Sequence, residues 1–188
     1  PALRVINHQI SAMPLRTSAT RALGAFVNTF ARESFMDELA AAAGQDPLAF
    51  RLAHLDNDRL RAVLETAAER FGWKDRAGRK ERGAGAGLAC GTEKGSYIAT
   101  CAEVSVDAST RAITITRVCA AYECGAIINP DNLLAQVQGC IIMGIGPALR
   151  EAMEFDEGRV LNTSFRRYKV PRFADVPGLE IHLLNRPD

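Results

Sequence analysis

Five cysteines, Cys90, Cys101, Cys119, Cys124 and Cys140, and three histidines, His8, His54 and His182, are the residues of this chain best suited to bind metal or attack an electrophile. No two cysteines form the close C-x-x-C pair of thiolate metal sites and redox motifs, and no histidine stands near a cysteine in sequence. Buried, reduced thiols are the expectation, and no metal-ligand set is assigned. Cys124 or a serine with His182 would need a triad that the spacing does not supply. Glu33 and Asp37 lie four apart, on one face of a helix, yet solvated helix carboxylates are commoner than catalytic pairs, so neither receives a role. Two segments fit ligand contact better. In RTSATRALG an arginine, Arg21, stands close to Gly24, a pattern common in loops that meet ligands. In CGAIINPDNLLAQVQGCIIMGIG, residues 124–146, Gly139, Gly144 and Gly146 fall inside an expected helix. Each weakens that helix by up to about 1 kcal/mol relative to alanine. Either a flat ligand or backbone comes close there, or the helix packs tightly on a sheet.

The elements that must position these residues follow from periodicity and punctuation. VNTFARESFMDELAAAAG spaces Val27, Phe30, Ala31, Phe35 and Leu39 three and four apart, predicting an amphipathic helix that stops at Gly44. Asp46-Pro47 reads as an N-cap followed by proline at the first helical position, starting a short second helix. A third runs through NDRLRAVLETAAERFGW, with Leu60, Val63, Leu64, Ala67 and Phe71 on one side and Gly72 at its end. KDRAGRKERGAGAG is basic, glycine-rich and aperiodic; it lacks the strand before and helix after that a phosphate cradle requires and is expected to be an exposed connection. SYIATCAEVSVD and RAITITRVCAAY, joined by ASTR, predict a β-hairpin. LNTSFRRYKV and LEIHLLN are further strand candidates, and the Asp-Glu-Gly turn in EFDEGRVL closes a second hairpin. After the strand ending near Tyr122, Asp131 is the expected cap of a helix reaching about Ala148. The apolar part of that helix, interrupted by Gln136 and Gln138, is expected to fall short of the roughly twenty residues that cross a bilayer.

The expected fold class is α+β: a mixed sheet with packed helices. Three segments divide the chain: residues 1–73, helical with the Arg-Gly loop; residues 74–94, the exposed basic and glycine-rich connection; and residues 95–188, an α+β segment. With 23 basic against 22 acidic residues the formal net charge is +1, which provides no electrostatic footprint for nucleic acid or an anionic membrane. The amino terminus, PALRVINHQI, has no leader character and reads like the middle of a domain, so a fragment of a larger polypeptide is expected.

In order and spacing, TRALG with FARESFMDELA, DPLAFR, VLETAAERFGW, GSYIATCAEVSVD, ECGAIINPDNLLAQVQG with its GIG, and RRYKVPRFADVPGLEI together resemble one family. It is the molybdenum hydroxylases of the xanthine oxidase and aldehyde oxidase type, in the C-terminal part of their large, molybdopterin-binding subunit. The likeness is greatest to the branch of the isoquinoline 1-oxidoreductase β-subunit, because GAGLACGTEKGSYIA passes directly from the basic loop to the hairpin.

The resemblance implies a cofactor, molybdopterin or molybdopterin cytosine dinucleotide with molybdenum, held in a cleft between domains. It implies hydroxylation of N-heterocycles or oxidation of aldehydes with oxygen from water. Its partners would be the rest of the large subunit, an iron–sulfur electron-transfer subunit and the small-molecule heterocycle or aldehyde. No nucleic acid and no membrane span are expected. By the same resemblance, Arg21 and Gly24 match the family's Arg-Gly loop near the metal end of the cofactor, with Ala22 where a glycine is usual. Gln138 and Gly139 match the Glu/Gln-Gly of the helix packed against the cofactor, and Glu123-Cys124-Gly125 replaces a more usual Asp-Cys/Val-Gly. The family's catalytic base, in a G-x-G-E segment, is expected beyond Asp188, so no catalytic residue is assigned here. The chain alone is expected to be inactive, free of molybdenum and prone to self-association through exposed apolar surface. The alternative is a non-catalytic docking module derived from the same fold.

Overall fold

The computed structural model describes residues 4–19, 21–77 and 82–187. Helix α1 spans Leu23–Ala42, α2 Pro47–Ala53, α3 Asp58–Phe71, the single turn α4 Trp73–Arg76, and α5 Pro130–Leu149. Strands are β1 Ala84–Glu93, β2 Ser96–Val106, β3 Ile113–Glu123, β4 Phe155–Asp156, β5 Arg159–Val160 and β6 Gly178–Leu184. The main sheet has the order β1-β2-β3-β6, antiparallel except for the parallel pair β3 and β6, so the architecture is α+β with a mixed sheet as expected. Strands β4 and β5 form a separate two-stranded ribbon.

Local chemistry sets the helix ends. Asp46 caps α2 by accepting from the amides of Leu48 and Ala49 at 3.0 and 2.9 Å, and its other oxygen accepts from the Trp73 indole at 2.9 Å. Asn57 caps α3 through the Leu60 amide, and Gly72 ends it in the left-handed conformation, φ 74°. The apolar side of α3 packs on the sheet, where Val63, Leu64, Ala67, Ala68, Phe71 and Trp73 meet Leu88, Cys90, Ala99, Cys101, Cys119 and Ala121 to form the core.

Several sequence expectations change. The glycine-rich end of segment 74–94 is strand β1, not connection, and Trp73–Arg76 is a helical turn. Residues 78–81 of that basic stretch lie outside the described residues. The small residues of GAGAGLACG hid the strand, but Lys94-Gly95, both at positive φ, form a tight turn that pairs it with β2. LNTSFRRYKV is not a strand: the amides of Arg167 and Tyr168 both donate to the Ser164 carbonyl at 2.8 Å, so the segment turns. The cap of α5 is Asn129, whose side chain accepts from the Asn132 amide, and Pro130 takes the first helical position. Asp131 is in the first turn instead, where its charge suits the helix dipole. At 20 residues α5 is also longer than expected, long and apolar enough by length and composition to cross a bilayer.

Helix α1 forms where expected, but with its faces exchanged. Val27 and Phe30, on the expected inner side, are 61% and 73% exposed, while Glu33 is only 6% exposed. An ionic anchor, not an apolar contact, ties the helix to the sheet.

Candidate functional site

That anchor begins with the Glu33 carboxylate, which accepts from the Cys90 amide and from Arg51 Nε, both at 2.9 Å, and from Arg32 Nε at 3.0 Å. Arg51, itself buried, also donates to Asp37 at 2.6 Å and to the carbonyls of Glu33 and Pro47. Arg32 reaches the Cys90 carbonyl at 2.9 Å. Both outward backbone groups of Cys90 on edge strand β1 are therefore paired with α1 side chains, which closes an edge that would otherwise offer free donors and acceptors. Burial opposes the Glu33 charge, but the hydrogen bonds from Cys90, Arg51 and Arg32 outweigh it and hold its carboxyl below the ordinary 4.5. The solvated-carboxylate reading thus fails for Glu33 and Asp37, which are structural partners of Arg51.

The anchor projects the start of α1 outward. Ala22 and Leu23 both take left-handed backbone, φ 65° and 50°. Ala22 caps the helix without a side-chain hydrogen bond, and the first turn contains no acidic residue, so the leading amides point outward with no partner from a capping side chain. Arg21 and Gly24 are exposed beside them. Arg21 makes no ion pair or side-chain hydrogen bond among the described residues.

At the other edge of the sheet, β6, lies α5. The loop into it is held by Glu123, which is buried and accepts from Arg59 Nε and Nη2 at 2.5 and 2.6 Å and from the Gly125 amide at 2.6 Å. Arg59 also stacks over the Tyr97 ring at 4.5 Å. Its hydrogen bonds lower the Glu123 pKa, against the opposing effect of burial. The carbonyl of Gly125, a residue at φ 88°, accepts from the Arg186 amide, and Ile127 N–H donates to Asn185 Oδ1, so both strands of the parallel pair end on this loop. Gln138 and Gly139 are adjacent and exposed on α5. A Cβ built at Gly139 or Gly144 would meet nothing within 4 Å, so tight packing inside this chain explains neither glycine; at Gly146 it would overlap the Glu151 carboxyl.

The four sequence-picked residues therefore form two exposed pairs, Arg21 with Gly24 and Gln138 with Gly139. Neither pair lines the shallow hollow beside Trp73 or the smaller one beside Asn162 and Tyr168. α1 is anchored at β1 and α5 packs on β6, three strand spacings or about 14 Å across the sheet. Sequence reasoning missed the Arg51–Glu33 anchor and the Arg59–Glu123 clamp, whose partners lie 18 and 64 residues apart. Three cysteines are buried as expected, with burial pushing Cys90 and Cys101 up to about 12, which makes inert thiols; Cys124 and Cys140 are exposed.

Residues 26–177 match the family model described as the molybdopterin cofactor-binding domain. The chain belongs to that family. It is 31% identical over 186 residues to the second subunit, B, of nicotinate dehydrogenase from Pseudomonas putida, covering 92% of this chain and 16% of the relative. Identity to the beta subunit of isoquinoline 1-oxidoreductase from Brevundimonas diminuta is 33% over 165 residues, 87% of this chain and 21% of that one. Among solved structures, quinoline 2-oxidoreductase from Pseudomonas putida 86 matches over 50% of this chain and 12% of its own, at 34% identity and a TM-score of 0.48. The chain thus spans about a fifth or less of the curated relatives' length.

The residues present fit the family's cofactor. Free guanidinium and amide donors at the start of α1 suit an anionic or oxo group, and the open glycine surface of α5 beside the Gln138 amide admits a flat one.

Proposed function

We propose that this chain is one wall of the molybdopterin site in a molybdenum hydroxylase that hydroxylates N-heterocycles or oxidises aldehydes with oxygen from water. The observation that carries the reading is the unfilled surface at Gly139 and Gly144, where helix-weakening glycines have no neighbour to explain them. The names of the nicotinate and isoquinoline relatives favour N-heterocycles. When bound, the cofactor, as molybdopterin or its cytosine dinucleotide, supplies the redox-active molybdenum at which the substrate is oxidised.

This chain's own residues bind and orient. Arg21 and the leading amides of α1 donate to anionic oxygens of the cofactor or to a substrate carbonyl; Gln138 donates from its side-chain amide; Gly139 lets the ring system approach the helix backbone. The Arg59–Glu123 clamp positions the loop that aims α5. The second wall comes from the rest of the large subunit, and electrons leave to an iron–sulfur subunit. On this reading α5 faces cofactor and protein instead of lipid: Asn129 caps it, Gln136 and Gln138 interrupt it, and it packs on β6. The three segments 1–73, 74–94 and 95–188 then serve as loop-bearing helices, connection and cofactor-facing unit.

With all four site residues exposed, the 188-residue chain alone is expected to hold no molybdenum and to be inactive. Metal and pterin analysis tests this. Under about a tenth of an equivalent is expected in the isolated chain, and near one when it is assembled with the remaining subunit segments; stoichiometric molybdenum in the isolated chain would overturn the single-wall reading.

A further inference from the structure

Strands β3 and β6 bring together a thiol, a carboxylate and an imidazole that the proposed function does not use. In their parallel register Cys119 pairs with Glu180, and Ala121 with His182. Alternation along each strand puts Cys119, Glu180 and His182 on the sheet face covered by α3. One ligand atom from each lies within 4.8 Å of the other two. Independently, His182 Nε2 is the one buried side-chain nitrogen or oxygen without a hydrogen-bond partner among the described residues. A buried imidazole nitrogen left unpaired is costly unless something binds it.

We propose that Cys119, Glu180 and His182 form a three-ligand site for a zinc-class divalent cation. Sulfur, nitrogen and oxygen donors in one set suit a borderline tetrahedral ion, with water in the fourth position. Bond lengths of about 2.0–2.3 Å place such ligands about 3.5 Å apart, so the present separations close by small side-chain rotations. The carboxylate is already oriented: Arg117 Nε and Nη2 donate to Glu180 at 2.7 and 2.8 Å, while Arg117 Nη1 and Nη2 also bind the carbonyls of Phe71 and Arg70. Second partners of this kind fix a ligating carboxylate. Cys119 is buried and Glu180 exposed, so the ion enters from the Glu180 side. On binding, the Cys119 thiol loses its proton to solvent. Burial and the Glu180 charge hold that thiol's pKa up, so affinity falls as pH is lowered. None of the three ligands belongs to the proposed cofactor wall, and the site does not depend on molybdenum.

The test is cobalt titration of the 188-residue chain. One equivalent of Co2+ is expected to produce a thiolate-to-cobalt charge-transfer band in the near ultraviolet, which one equivalent of Zn2+ abolishes. Cys124→Ser combined with Cys140→Ser keeps the band, Cys119→Ser removes it, and His182→Gln weakens cobalt binding at least about tenfold. No band, or a band that follows Cys124 and Cys140, overturns the proposal. If Cys119→Ser does not fold, His182→Gln decides: unchanged cobalt affinity in that variant is equally fatal.

Discussion

Ala22 holds a left-handed backbone, φ 65°, where a side chain costs roughly 1 kcal/mol and glycine nothing. Ala22→Gly is therefore expected to leave the stability of the chain unchanged or to raise it by up to about 1 kcal/mol, the relief of strain offset by glycine's greater freedom when unfolded; a loss above about 1 kcal/mol in urea unfolding would show that the methyl group packs. Arg51 acts in the opposite sense. Arg51→Met strips the main partner from a carboxylate that is 6% exposed, and an uncompensated buried charge costs about 3–5 kcal/mol. The pH dependence follows from the depressed Glu33 pKa. Its stabilisation is fully present above the unfolded value of 4.5 and is lost as pH falls from there through the lower folded value. Glu33→Gln should flatten that part of the stability profile, and an unchanged acid limb would sink the assignment. None of this was visible in sequence, where Glu33 and Asp37 look like solvated helix residues; only the fold brings Arg51 and the Cys90 amide to them.

Among the elements, those with strong punctuation were legible. Asp46-Pro47, Asn57 and Gly72 bound α2 and α3 as their chemistry dictates, and the two-residue period of β2 and β3 identified the hairpin. Where side chains are small, as in β1, period says little and only the Lys94-Gly95 turn betrays a strand. LNTSFRRYKV alternates without a neighbouring edge to pair with, and local hydrogen bonds to Ser164 prevail. The glycines of α5 separate by their surroundings. Gly139→Ala meets nothing within 4 Å and is expected to stabilise the isolated chain by up to about 1 kcal/mol. Gly146→Ala must expel the Glu151 carboxyl, breaking its bond from Tyr168 Oη at 2.9 Å, and is expected to destabilise. Thermal melts of the two variants moving in the same direction would contradict this contrast.

For the molecule as a whole, the family was legible from the order of its motifs, whereas the orientation of α1 was not. Its sequence-defined apolar face, Val27 and Phe30 with Phe26 and Leu23, lies open to solvent, as one side of an incomplete enclosure does. Val27→Glu with Phe30→Glu is expected to reduce self-association by light scattering while shifting unfolding by under about 0.5 kcal/mol; a large loss of stability would place these residues in a core. The central claim is that the surfaces at Arg21 and Gln138 meet one cofactor when the rest of the site is in place. Molybdenum content of the assembled large subunit, with Arg21→Ala or Gln138→Ala in this segment, tests it most directly. The account predicts that each substitution lowers bound molybdenum severalfold while the isolated chain keeps its unfolding midpoint. Full molybdenum occupancy and unchanged turnover in both variants would contradict it.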